Sequence, residues 1–247
     1  MNKDFTLEGK IAVVTGAFKG NGKSIATYLE TLGATVERTD IEASDGIRAM
    51  DVTSEDSVQE AVAAIVKERG HIDILVNNAG IINKALVTDI DLSDWRRLIE
   101  VNVTGAVICT KHVAPVMKER KWGRIINISS VQAYLATDTY SAYAASKAAL
   151  SHLTHLWAHE LAPWNITVNA LCPSYVDTPM MANTVKTWSE KLNCSKEKAL
   201  DRLLEPIPGK RLLRPEELGY WVSVIATDMG SGLTGSNIAV SCGWVLR

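Results

Sequence analysis

Short, near-continuous apolar runs alternate along this chain with longer segments whose apolar residues recur at helical spacing, and few architectures accommodate that alternation. The apolar runs lie at residues 11–14, 35–39, 72–76, 124–128, 167–171 and 237–240. The helical-period segments lie at 23–32, 57–69, 95–118, 143–161 and 216–227. A strand that is apolar at nearly every position must be covered on both faces. Parallel strands joined by crossover helices meet that demand, because each helix packs back onto the sheet. The expected fold is therefore α/β, with a parallel sheet between two helical layers.

The chain has 247 residues, 47% of them hydrophobic, enough for one substantial core. It contains no internal repeat, low-complexity stretch or Pro/Gly/Ser-rich linker, so one domain spanning 1–247 is expected. Segment 174–213 is the exception: long, mixed in charge and weakly patterned, it reads as a substrate loop or lid. The formal charge of -2 gives no electrostatic reason to expect nucleic acid or an anionic membrane as partner. No apolar run approaches the roughly 20 residues that span a bilayer. Residues 1–10 carry Asp4 and Glu8 and no signal-peptide-like apolar stretch, so a cytoplasmic protein is expected. Cys109, Cys172, Cys194 and Cys242 show no redox or metal-ligand spacing, which predicts reduced thiols.

Residues 15–22 read Thr-Gly-Ala-Phe-Lys-Gly-Asn-Gly and lie between the first apolar run and the first helical segment. Gly16, Gly20 and Gly22 would let the backbone turn sharply there and approach a pyrophosphate, whose charge then meets the free N–H groups of the helix start. Asp40 ends the second strand, where an acidic side chain accepts the adenosine ribose hydroxyls and repels a 2′-phosphate. Lys19 and Arg38 point the other way, since either attracts a 2′-phosphate. The balance favours NAD over NADP. Asp51 and Val52 follow the next apolar stretch and are placed to meet an adenine, with Ile41 beside Asp40. Asn77-Asn78-Ala79-Gly80 follows the third strand, and small residues and amides there suit a cofactor crevice.

Tyr143 and Lys147 are four residues apart at the start of a helical segment, hence one turn apart on one face. A free tyrosine, with a pKa of about 10, is a poor acid/base near neutrality. A lysine ammonium beside it, together with an oxidised nicotinamide, favours the phenolate. Ser130 ends the strand-and-turn from residue 124, and its hydroxyl can bond a substrate oxygen as its charge changes.

Taken in order, TGxxxGxG, NNAG, a strand-end Ser and YxxxK resemble the short-chain dehydrogenase/reductases over nearly the whole chain. The resemblance implies a Rossmann-like, doubly wound single domain, hydride transfer at the nicotinamide, and a homotetramer or homodimer. It implies that Tyr143 is the general acid/base, that Lys147 lowers its pKa and holds the nicotinamide ribose, and that Ser130, not Ser129, orients the substrate. Asn102, in Val-Asn-Val-Thr-Gly, matches the family asparagine that holds a water of the proton relay; by itself it reads as a helix-interior kink. Pro173, Val176 and Thr178 match positions beside the nicotinamide.

Three positions depart from the family pattern. Asn21 stands where an apolar residue is usual, Ser174 follows Pro173 where glycine is usual, and Ser241-Cys242 precedes Gly243 where Asp-Gly is usual. His152, His155 and His159 share the helix of Tyr143; an interface or surface role is expected for them and no metal site. The cations of 186–214, including Arg202 and Arg211, alternate with acids and read as a salt-bridged surface; the sharper reading is a lid that meets an anionic substrate. The chain thus reads as an NAD-dependent oxidoreductase that interconverts a secondary alcohol and a ketone, on a sugar, polyol or small hydroxy acid. The alternatives are an NADPH-dependent ketoreductase of 3-oxoacyl thioesters and, in another class, a non-catalytic dinucleotide-binding scaffold.

Overall fold

The computed structural model of the protein describes residues 5–246, so Asp4 lies outside the described residues. Seven parallel strands form one sheet: β1 (Ile11–Thr15), β2 (Thr35–Asp40), β3 (Arg48–Ala49), β4 (Ile74–Asn77), β5 (Gly123–Ile128), β6 (Ile166–Pro173) and β7 (Asn237–Val240), in the spatial order β3-β2-β1-β4-β5-β6-β7. The order runs outward in both directions from the β1/β4 pair, and that reversal opens a crevice at the carboxyl ends of the two strands.

The described residues form eight α-helices: α1 (Gly20–Thr31), α2 (Glu55–Arg69), α3 (Leu92–Ile99), α4 (Gly105–Arg120), α5 (Ser141–Leu161), α6 (Pro179–Lys191), α7 (Lys196–Leu204) and α8 (Pro215–Ala226). Successive strand residues face opposite sides, which explains why the strands are apolar throughout. Ile11 and Val13 pack with Leu75, Ile125 and residues of α2, α4 and α5. Ala12 and Val14 pack with Ile74, Val76, Ile126 and residues of α1 and α8. The sheet is therefore doubly wound, as expected.

Two differences from the sequence reading have local causes. The expected helix over 95–118 begins at Leu92, because the Asp91 carboxylate accepts the N–H groups of Ser93 (2.6 Å) and Asp94 (3.4 Å). It also contains a π-helical turn, Glu100–Thr104, centred on Asn102. The weakly patterned segment 174–213 holds α6 and α7. Each starts at a hydroxyl cap: Thr178 before Pro179, and Ser195 before Lys196.

Candidate active site

The crevice is built where the loops after β1 and β4 are tied together. Thr15 Oγ1 accepts the N–H groups of Asn78 (3.0 Å) and Ala79 (2.9 Å). The Asn78 amide donates back to the carbonyls of Thr15 (2.8 Å) and Gly16 (3.0 Å). This closeness excludes side chains. Gly16 has φ +65°, and a Cβ on it would lie 2.9 Å from Ala79 Cα; a Cβ on Gly22 would lie 2.3 Å from the Gly16 carbonyl oxygen. Lys19 gives α1 no side-chain cap, so the first N–H groups of the helix remain for an anion.

Gly16, Lys19, Gly20, Asp40, Ile41, Asp51 and Val52 line one cleft of about 1080 Å³. Asp40 is held in place there: its carboxylate accepts the N–H of Phe18 (3.0 Å) and of Ile41 (2.9 Å). Arg38 is drawn away, its guanidinium bonded to Glu30 (2.8 and 3.1 Å) and Thr27 (3.0 Å). Asp51 accepts the N–H (2.9 Å) and hydroxyl (2.7 Å) of Thr53, and these bonds hold its carboxyl below the usual carboxylate range. Gly22 lies outside the lining, packed beneath Gly16.

A second cleft of about 880 Å³ adjoins the first and shares Asn21, Asn78, Gly80 and Thr178 with it. Ala79 lines the first cleft alone. Ser130, Tyr143, Lys147, Pro173 and Val176 line the second. The Lys147 ammonium donates to the Ile128 carbonyl (2.8 Å) and sits 5.7 Å from the Tyr143 ring centre. Ser129 is committed to α5, bonded to the Lys147 carbonyl (3.0 Å) and the Ser151 hydroxyl (2.8 Å). Ser130 accepts the N–H of Gln132 (3.2 Å), and its hydroxyl favours the Tyr143 phenolate.

Burial sets the ionisation of this pair. It pushes the Tyr143 phenol up to about 12, against the downward pull of the Ser130 bond, and brings Lys147 down to about 8. Desolvation of the phenolate is the largest influence on Tyr143, ahead of the opposing effect of Ser130.

Asn102 lies behind the cleft wall, 1% exposed. Its amide donates to the Ile81 carbonyl (2.9 Å) and the Ser146 hydroxyl (3.1 Å), and its oxygen accepts the Ile81 N–H (2.8 Å). The π-helical turn presents this side chain to the loop after Gly80, so the kink and the site belong to one feature.

Several cleft residues had no distinguishing signal in the sequence, among them Ile82, Gln132, Tyr175, Met181 and Trp244. A long helix-rich segment and a position two residues after a serine carry no motif of their own. The cations of 186–214 line neither cleft. Arg211 pairs with Glu217 (2.7 and 2.8 Å), Arg202 with Glu205 (3.5 Å) and Lys186 with Glu190 (3.9 Å), which is the salt-bridged surface reading. The His155 ring bonds the Gly235 carbonyl (2.7 Å) and Asn237 (2.9 Å). Among the described residues no three His, Cys, Asp or Glu side chains gather as a metal site would require. The four cysteines are free thiols, with Cys109 and Cys172 buried.

Comparison with known proteins gives consistent relatives. A family model described as enoyl-(acyl carrier protein) reductase matches residues 16–245. The chain is 37% identical to an uncharacterised oxidoreductase of Bacillus subtilis, over 96% of this chain and 99% of that one. It is 36% identical to a 3-oxoacyl-(acyl-carrier-protein) reductase of Thermotoga maritima, over 97% and 99%. Among solved structures, the aldohexose dehydrogenase of Thermoplasma acidophilum superposes with a TM-score of 0.90 at 34% identity, covering 98% of this chain and 96% of that one.

Proposed function

The chain belongs to the short-chain dehydrogenase/reductase family, oxidoreductases acting on CH–OH groups, and from that premise we propose that it interconverts a secondary alcohol and a ketone with NAD. The observation that carries this reading is one cleft wall holding Ser130, Tyr143 and Lys147, continuous with a second cleft that holds Asp40. The substrate class is a sugar, polyol or small hydroxy acid.

The residues fit a dinucleotide. The glycine cradle beneath Asn78 and the uncapped start of α1 suit a pyrophosphate. Asp40 and Ile41 would hold the adenosine ribose and Asp51-Val52 the adenine. Asn78, Ala79 and Gly80 would form the wall, and Pro173, Val176 and Thr178 would flank the carboxamide. Bound there, the nicotinamide supplies the hydride acceptor or donor and, when oxidised, a positive charge. Tyr143 takes or returns the proton of the substrate oxygen at its phenolic O, and Ser130 donates a hydrogen bond to that oxygen. The Lys147 ammonium stabilises the phenolate and holds the nicotinamide ribose. Asn102 positions the loop after Gly80 against α5.

Asp40 supports NAD, since its carboxylate is fixed by two backbone N–H groups and Arg38 is neutralised by Glu30. Lys19, exposed in the same cleft, favours the alternative, an NADPH-dependent 3-oxoacyl ketoreductase like the Thermotoga relative. Absorbance at 340 nm over a panel of sugars, polyols, hydroxy acids and 3-oxoacyl thioesters, with each cofactor, tests the two. We expect kcat/KM to favour NAD by about 10-fold or more, the worth of roughly 1.4 kcal/mol of repulsion of a 2′-phosphate. A strong NADP preference would sink the NAD assignment, and no turnover in any class would favour a scaffold. Replacing Gly22 by Ala should weaken NAD binding by about 100-fold or more, because the added methyl displaces the Gly16 carbonyl; titration of protein fluorescence with NAD measures this. Unchanged affinity would remove the cradle from the site.

The reading extends to the whole molecule. We take the described residues 5–246 as one unit in which 174–213 serves as the substrate loop. A homo-oligomer, tetramer or dimer, is expected from exposed Tyr220 and Trp221 on α8 and Leu156 on α5. A cytoplasmic location fits, and no described helix is long and apolar enough to cross a membrane.

A further inference from the structure

A third cleft, of about 950 Å³, adjoins the Tyr143 cleft. The two share Tyr140, Tyr175 and Trp244 in their linings. Tyr140 relates them in space: its ring centre lies 6.2 Å from that of Tyr143 and 4.9 Å from the ammonium nitrogen of Lys84. Lys84 is half-buried and lines the third cleft but neither of the other two. Burial lowers the pKa of its ammonium, with no acid near enough to oppose the shift. Among the described residues this ammonium meets the face of the Tyr140 ring and forms no ion pair, and a ring face offsets only part of the lost hydration. Arg202 lines the same cleft, and its contact with Glu205 is long (3.5 Å) and exposed. Such a pair contributes little and is readily exchanged for another partner. Asp138 is the one acid of this lining, and it is exposed.

We propose that this third cleft holds an acid group at the far end of the substrate, with Lys84 as its principal partner and Arg202 beside it. The substrate is then a hydroxy acid whose acid group stands several carbons from the reacting alcohol. This rests on the alcohol–ketone reading above. Two features set the chemistry. An ammonium that has lost part of its water and has no acid beside it is compensated by an anion, through a charge-assisted hydrogen bond, and not by a neutral sugar or polyol. Lys84 also lies outside the lining of the Tyr143 cleft, so a group bonded to it sits beyond the wall that the clefts share. The single methylene between the alcohol carbon and the carboxylate of 3-hydroxybutyrate is too short for that reach. The rings of Tyr140, Tyr175 and Trp244 give the intervening carbons an apolar surface to lie against.

The test measures kcat/KM for 3-hydroxybutyrate, 5-hydroxyhexanoate and 7-hydroxyoctanoate and for the neutral amide of each, with NAD and with NADP. It does so in the wild type, in Lys84→Met and in Lys84→Arg. Methionine keeps an unbranched stem and removes the charge, while arginine keeps the charge and controls for folding. We expect the wild type to prefer the two longer acids over their amides by about tenfold or more, the effect of a hydrogen bond to a charged group, and to show little preference within the 3-hydroxybutyrate pair. Lys84→Met should bring each acid and its amide to within about threefold of one another, and Lys84→Arg should keep the preference. A merely structural role for Lys84 would lower acid and amide in proportion and leave their ratio, which would overturn the proposal. So would an acid preference that is largest for 3-hydroxybutyrate. Octanoate, which has no alcohol to react, gives a readout independent of turnover. It should raise the melting temperature of the wild type and of Lys84→Arg in the presence of NAD, and that of Lys84→Met much less; equal shifts in all three would overturn the proposal. Turnover without an acid preference refutes this inference alone. No turnover of any alcohol, with an octanoate shift that depends on Lys84, upholds the acid site and refutes the alcohol–ketone reading.

Discussion

Tyr143→Phe should lower kcat by about a thousandfold or more while leaving the Kd for NAD within a few-fold of wild type. Of the groups gathered with Ser130 and Lys147 on one cleft wall, the Tyr143 phenolic oxygen is the one that can carry the substrate proton in either direction. Ser130 titrates only at extreme pH, and Lys147 donates to the Ile128 carbonyl. A thousandfold loss corresponds to about 4 kcal/mol of transition-state stabilisation, within the range of a positioned acid/base. The pH dependence has a definite sign. Alcohol oxidation needs the phenolate, which burial disfavours by holding Tyr143 up to about 12, so kcat/KM for oxidation should rise with pH from 6 towards 9. Ketone reduction needs the neutral phenol and should be flat or fall over the same interval. The residual activity of the Phe variant should lose this slope. Steady-state kinetics in both directions decide the matter; an unchanged rate in Tyr143→Phe would overturn the mechanism.

Lys147→Met should abolish measurable turnover and yet cost little or no stability at pH 7. The ammonium is buried, and burial lowers its pKa from 10.5 to about 8. Below pH 8 both folded and unfolded chains carry the proton, and the folded state bears the full penalty of a buried charge, on the order of 3 kcal/mol. Between pH 8 and 10.5 the folded chain releases its proton while the unfolded chain keeps it, so stability recovers with rising pH. Above that window the penalty is gone. Methionine removes the penalty but leaves the Ile128 carbonyl without its donor, which costs about 1–3 kcal/mol. Net stability at pH 7 should therefore be unchanged or up to about 2 kcal/mol higher than wild type, with the balance moving against the variant by pH 10. Urea unfolding at pH 7 and pH 10 measures both values. A loss of several kcal/mol at pH 7 would mean that Lys147 is retained for the fold and not for the chemistry.

Which parts of this protein were legible in one dimension follows from how local their causes are. The strands were readable because a sheet covered on both faces requires uninterrupted apolar runs, and β7 was located to the residue. The cofactor loop was readable because Gly16 and Gly22 answer a steric demand met within the strand-turn-helix unit and its neighbour. Tyr143 and Lys147 were readable because one helical turn separates them by four residues. Helices α6 and α7 were less legible: their caps, Thr178 with Pro179 and Ser195, are local, but Leu204 of α7 packs with Val131 and Trp244 from distant parts of the chain.

By itself, then, the sequence determined the alternation of strands and helices, the glycine cradle and the order of the chemical residues, since each depends on contacts within a few tens of residues. Only the tertiary structure decided four matters. Arg38 is spent on Glu30 and not offered to a phosphate. Lys186, Arg202 and Arg211 pair with Glu190, Glu205 and Glu217 and line neither the Asp40 cleft nor the Tyr143 cleft. Asn102 stands behind the wall in a π-helical turn. Tyr143 is pushed up and Lys147 down by burial. Desolvation and hydrogen-bond satisfaction are set by everything that packs around a group, and most of what surrounds these residues comes from distant parts of the chain.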